Sequence, residues 1–127
     1  MFLLIDTSVR DSISLSLFDT DTKKDVRVMA NNRMLLFHID AFLKQEGKTV
    51  ENIEGIMVLV GEGSFTSTRL AVSVANTFGY ARKIPLLSLS KSEAQHPQTS
   101  IASLIAQPIG LYLSATYSGV PQLGIVV

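Results

Sequence analysis

The sequence predicts an α/β domain built on one mixed sheet, with elements in the order β-β-β-α-β-α-β. Three observations carry this. Residues 2–5 form a short continuous apolar run, the pattern of a central strand covered on both faces. Residues 12–18 alternate serine with apolar residues, the period of a half-buried strand. Two helical patterns, 33–46 and 65–82, are each followed by an apolar strand run, as crossover connections require.

The elements follow in order. After strand 2–5, Asp6-Thr7-Ser8-Val9-Arg10-Asp11 is turn material, because Asp and Ser side chains bond neighbouring backbone amides. Strand 12–18, the charged turn 19–25 and strand 26–30 complete an antiparallel meander. Asn31 or Asn32 can cap the first helix, 33–46. There Leu35, Ile39, Phe42 and Leu43 form one apolar stripe, and Gly47 supplies the stop. Strand 55–60 runs into Gly61-Glu62-Gly63-Ser64, where the glycines permit a sharp turn and Ser64 or Thr66 can cap helix 65–82. That helix ends before Ile84-Pro85, and a fifth strand covers 85–89. Beyond Ser90 the pattern weakens to a helix at 100–107 stopped by Pro108, a strand at 111–117, and a turn at 118–121.

Composition narrows the function classes. The 127 residues suffice for one domain. Eleven basic residues balance eleven acidic ones, whereas a protein that grips nucleic acid by itself carries a basic surplus. Direct nucleic-acid binding is therefore not expected. Cysteine is absent, which excludes disulfides and thiolate metal sites and fits a cytoplasmic protein. Asp6 interrupts the apolar start too soon for a signal-peptide core, and no apolar run approaches the ~20 residues of a membrane span. The mean hydropathy of +0.31 is high for a soluble monomer, so part of the apolar surface is expected to meet a partner chain.

Three stretches can carry chemistry. Gly61, Gly63 and Ser64 at a strand-to-helix junction can cradle a phosphate. However, they lack the Gly-Lys-Ser/Thr of a phosphate loop, and Glu62 puts a negative charge in the turn, so they read as a turn and cap. Asp6-Thr7-Ser8 reads as a structural turn with Asp6 bonded to backbone. His38 and His96 stand alone, without the partners of a metal site or a Ser-His-Asp triad. No catalytic residue and no metal ligand is therefore assigned.

Helices offer more. Ser67, Ala71, Ala75 and Gly79 recur every four residues and form a small-residue stripe that would let a partner helix approach closely. Packing of the same helix on its own sheet is the competing explanation. On the first helix Met34, Leu36 and Phe37 lie partly outside the Leu35–Ile39–Phe42 stripe, leaving more apolar surface than one sheet contact needs. These seven residues are the expected partner-binding set.

A family resemblance joins these features. Ile5-Asp6-Thr7-Ser8, Leu35-Leu36, Ile39-Asp40 and Leu43, then Gly61-x-Gly63-Ser64-Phe65-Thr66 with Arg69, then Ile84-Pro85-Leu86 and Ser88-Leu89-Ser90, resemble TsaB, also called YeaZ, in the same order. The match spans residues 1–90, with Gly61 to Arg69 its most specific part. Ala115-Thr116-Tyr117-Ser118-Gly119-x-Pro121-x-Leu123-Gly124 is similar to the family's C-terminal end. Departures are Glu62 where the family favours Pro, Ser67 where it favours Gly, and Asn31-Asn32 in place of a His-Ser pair.

The resemblance implies the N-terminal lobe of an actin/Hsp70-like ASKHA fold, which is ribonuclease H-like and here a Gcp-like domain. Residues 1–90 would be that lobe. Residues 91–127 would be a short linker and helix, then a C-terminal strand and tail packed on the same domain, standing where the family has a second lobe. The implied role is a non-catalytic subunit that pairs through helices with a TsaD-like enzyme and supports threonylcarbamoylation of tRNA adenosine beside the anticodon. A TsaE-like ATPase joins that assembly. No cofactor is expected, with a nucleotide at a shared interface left open. Two alternatives remain. One is a ribonuclease H-like metal-dependent nuclease using Asp6, Asp40 or Glu46, and Glu62. The other is a homodimeric interaction module.

Overall fold

The structure, a computed structural model, describes residues 1–114. Five strands form one mixed sheet: β1 (Phe2–Asp6), β2 (Ser12–Phe18), β3 (Lys23–Met29), β4 (Gly55–Leu59) and β5 (Leu86–Leu89), in spatial order β3-β2-β1-β4-β5. The β1–β2 and β2–β3 pairs are antiparallel, while β1–β4 and β4–β5 are parallel. This is the mixed sheet and element order that the sequence predicts. β3 begins three residues before the expected 26, because Lys23, Lys24 and Asp25 pair with Phe18, Leu17 and Ser16 despite their charge. An edge strand tolerates such residues, since one of its faces is wet.

Helix α1 (Leu35–Gln45) follows a 3-10 turn at Asn32–Met34, with Asn31 accepting a hydrogen bond from the Arg33 amide. Helix α2 (Phe65–Arg82) connects β4 to β5. Both helices cover one face of the sheet. Leu35, Ile39, Phe42 and Leu43 of α1 and Ala71, Val72, Val74 and Ala75 of α2 join Leu3, Ile5, Ile13, Leu15, Leu17, Ile56, Val58 and Leu86 in one core. Strand alternation sends Phe2, Leu4, Phe18, Met57 and Leu89 to the opposite face, where Ile101 and Leu104 meet them.

Those last two residues belong to α4 (Ile101–Ile105), close to the expected 100–107 helix. Two short elements precede it, α3 (Lys91–Ala94) and a 3-10 turn at Pro97–Ser100. The sequence reading passed over α3. Its marker is a capping box, in which the Glu93 amide bonds the Ser90 hydroxyl and the Ser90 amide bonds the Glu93 carboxylate. The bond from the Ser90 amide, and after it the Ser90 side chain, hold the Glu93 carboxyl below its ordinary pKa. Residues 111–114 of the expected 111–117 strand have no regular secondary structure. The rest of that strand, the 118–121 turn and the family-like tail 115–124 lie outside the described residues.

Candidate functional site

The family-like segments converge at one corner of the sheet. Asp6 ends β1, and its Oδ1 accepts hydrogen bonds from the Ser8 amide (2.8 Å) and the Ser8 hydroxyl (2.6 Å). The carboxylate is thereby engaged by its own turn, as Asp in such turns commonly is. Thr7 is buried and donates from Oγ1 to the Ser67 carbonyl at 3.2 Å, tying the first turn to the start of α2.

The glycine turn meets the same place. Gly61 and Gly63 both adopt positive φ, +87° and +85°. A Cβ on Gly63 would lie 2.8 Å from the Ser8 Cα, so the position needs glycine on two counts. Ser64 caps α2 by accepting from the Ser67 amide at 3.0 Å, and Phe65 opens the helix with Thr66 exposed behind it. The Ser67 hydroxyl accepts from Ser64 Oγ (2.9 Å) and from Asn32 Nδ2 (2.7 Å). Asn32 therefore uses its amide to join the start of α1 to the start of α2. A polar hollow of about 470 Å³ lies between these turns, lined by Thr7, Ser8, Asn31, Asn32, Gly63 and Ser64 among others.

The second feature is the outer surface of α1 and α2. Met34, Leu36 and Phe37 are exposed, at 44, 57 and 61%. An apolar groove of about 330 Å³ runs between the helices, lined by Leu36, Ser73, Val74, Thr77, Phe78 and Ala81. Beside it, Asp40 pairs with Lys44 Nζ at 3.0 Å, and His38 stacks edge-on against Phe37 with ring centres 5.1 Å apart.

The expected stripe on α2 needs a correction. Ala71 and Ala75 are fully buried in the core, Gly79 is buried, and Ser67 is half-buried and bonded to Asn32 and Ser64. A Cβ on Gly79 would lie 2.8 Å from Leu86 Cδ1. The stripe thus faces β4 and β5 and lets α2 sit close to its own sheet, which is the competing explanation. Facing outward at the same spacing are Ser73, Thr77 and Ala81. The sequence reading missed these three, although polar or small residues four apart on the side away from the core were the available signal.

The nuclease arrangement also fails. Among the described residues no three His, Cys, Asp or Glu side chains are grouped so that they could hold a metal ion. Asp6, Asp40, Glu46 and Glu62 are thus not assembled into the cluster that alternative needs. Near Asp6 a shallow hollow on the α4 side of the sheet is lined by Ser14, Ser16, Lys23, Asp25 and Arg27. Burial pushes the Asp25 carboxyl up, but hydrogen bonds from Lys23 and Ser16 outweigh it and hold the group below its ordinary value. These residues satisfy one another across the β2–β3 pair. No helix of the described residues is long and apolar enough to cross a membrane.

Comparison with known proteins agrees with this geometry. The family model of TsaD, described as tRNA N6-adenosine threonylcarbamoyltransferase, matches residues 30–120. Two solved structures share the fold with a TM-score of 0.64 and 21% identity. One is YeaZ from Pseudomonas aeruginosa. The other is described as an uncharacterized protein with similarity to peptidase YEAZ, also from Pseudomonas aeruginosa. Each match covers 76% of this chain and 49% of the other, so the chain spans about half the length of those relatives. A search of curated proteins finds no match. With more than half of its length matched, the chain belongs to the TsaD family, and it shares the fold of the YeaZ structures.

Proposed function

We propose that this chain is a non-catalytic subunit that docks on a TsaD-like enzyme and supports threonylcarbamoylation of tRNA adenosine next to the anticodon. The observation that carries the proposal is the outer face of α1. Leu36 and Phe37 are more than half exposed, beside an apolar groove shared with α2. Contiguous exposed apolar surface of this kind marks interaction sites. The groove matches a helix-in-groove mode of recognition, in which a partner helix buries its apolar side between two others.

The non-catalytic part rests on the residues that would have to do chemistry. Asp6 is occupied by its own turn, Thr7 and Ser64 bond to α2, and His38 rests on Phe37. The balanced charge leaves the recognition of tRNA to the partner. The chain would act by holding the enzyme in its active conformation, with a TsaE-like ATPase joining the pair in a cytoplasmic complex.

Co-purification of the tagged chain with the TsaD-like protein of the same cell tests this. Leu36→Glu and Phe37→Glu each place a charge on the docking face and should weaken capture at least tenfold without unfolding the chain. Capture that survives both changes sinks the proposal. A chain that forms only pairs of itself in solution, with its mass unchanged by the enzyme, would support the homodimer instead.

A further inference from the structure

We propose that residues 111–114 form a second wall of the docking surface, positioned by Asn76. This rests on the reading that a protein partner docks on α1 and α2.

The segment is held from one side. Asn76 Nδ2 donates to the Leu113 carbonyl at 3.0 Å, and Asn76 Oδ1 accepts from the Leu113 amide at 2.8 Å. One side-chain amide thus supplies both hydrogen bonds that a neighbouring strand would have given. Among the described residues the other backbone hydrogen bond of this segment runs from the Leu111 amide to the Pro108 carbonyl at 3.3 Å. No backbone bond joins it to β5, from which a hollow of about 310 Å³ separates it. Leu113 packs against the core while Tyr112 stays about half exposed. The amide of Asn76 therefore decides where Tyr112 stands.

Tyr112 stands across α2 from the apolar groove. A second groove of about 660 Å³ lies between α2 and the segment, lined by Arg69, Val72, Ser73, Asn76, Tyr80 and Tyr112 among others. Ser73 and Thr77 line both grooves, so the two share the crest of α2 and form one continuous surface. Size points the same way. A standard protein interface takes about 20–30 residues a side. The α1–α2 groove, even with Met34 and Phe37 beside it, falls well short, and the surface continuous with it runs past the crest through Ser73 and Thr77. What it meets is a groove with two tyrosines, the residue type that with Trp and Arg dominates binding energy at interfaces. The occupant is then the same partner protein, with an apolar helix between α1 and α2 and hydrogen-bonding side chains over Tyr80 and Tyr112.

Capture of the partner by the full chain tests this alongside hydrogen exchange. In Asn76→Ala the Leu113 amide should exchange at least tenfold faster while the α1 amides keep their protection, and capture should weaken at least fivefold. Tyr112→Ala, which leaves the anchor intact, should weaken capture similarly without changing exchange at Leu113. Wild-type capture by both Tyr112→Ala and Tyr80→Ala overturns the proposal, as does tighter capture by Asn76→Ala, which would make the segment a cover. Leu36→Glu separates the two readings. If it abolishes capture while the tyrosine variants do not, the second wall fails and α1–α2 docking stands. If it too leaves capture intact, both fail.

Discussion

Helices α1 and α2 lie side by side on one face of the sheet, yet only α2 meets it through a row of small residues. α1 turns Leu35, Ile39, Phe42 and Leu43 inward and keeps Leu36 and Phe37 outside. α2 turns Ala71, Ala75 and Gly79 inward beside Val72 and Val74, and shows Arg69, Ser73, Thr77 and Tyr80 outside. At Gly79 the approach of α2 to Leu86 leaves no room for a Cβ. A helix with small inward residues approaches closely, so its backbone itself fills the space, whereas one with large residues stands off and fills it with side chains. Small residues on a helix therefore do not by themselves mark a partner.

Four substitutions can break or sharpen this contrast. The largest effect is expected for Ala75→Glu, which forces a charge into a fully buried position of α2. An unpaired buried charge costs several kcal/mol, and the strain of the longer side chain adds to it, so the variant should be unfolded by circular dichroism at 25 °C. A folded Ala75→Glu chain would mean that the stripe faces outward after all. Gly63→Ala comes next. Positive φ and the close approach to Ser8 together should remove about 2 kcal/mol, read as a lower midpoint in urea.

Ser64→Ala deletes the cap of α2 and should cost about 1 kcal/mol by the same measurement. A loss well under half of that would show that Ser67 and Asn32 hold the helix start without it. The smallest stability change is expected for Leu36→Glu on α1, within about 0.5 kcal/mol, because the side chain is exposed and its burial stabilises little. A large loss there would place Leu36 in the core and remove the contrast between the helices.

Much of the fold was legible because its signals are local. The serine alternation of β2, the apolar run of β1 and the stripe of α1 each record the face on which a residue lies. Ser64 and the two glycines mark the turn into α2 from their own backbone requirements. α3 escaped because four residues have no helical period, and β3 started early because pairing with β2 outweighed the charge of its first residues. The faces of α2 were harder still. Residues at positions 71, 75 and 79 make the same stripe whether they meet a sheet or a partner, and only packing against Ile56, Val58 and Leu86 decides.

By itself, then, the sequence determined the sheet's elements, their order and the corner where the turns at Asp6 and Gly61 meet, since periodicity, caps and glycine conformations act over a few residues. Tertiary structure decided which side of α2 is outside, how Asn32 and Ser67 link the two helix starts, and that Asn76 reaches residue 113, some 37 positions along the chain. These are contacts between segments far apart in sequence, and no local pattern encodes the distance between them. The feature that survives both views is the surplus of apolar residues on α1, visible as a pattern and exposed in the fold.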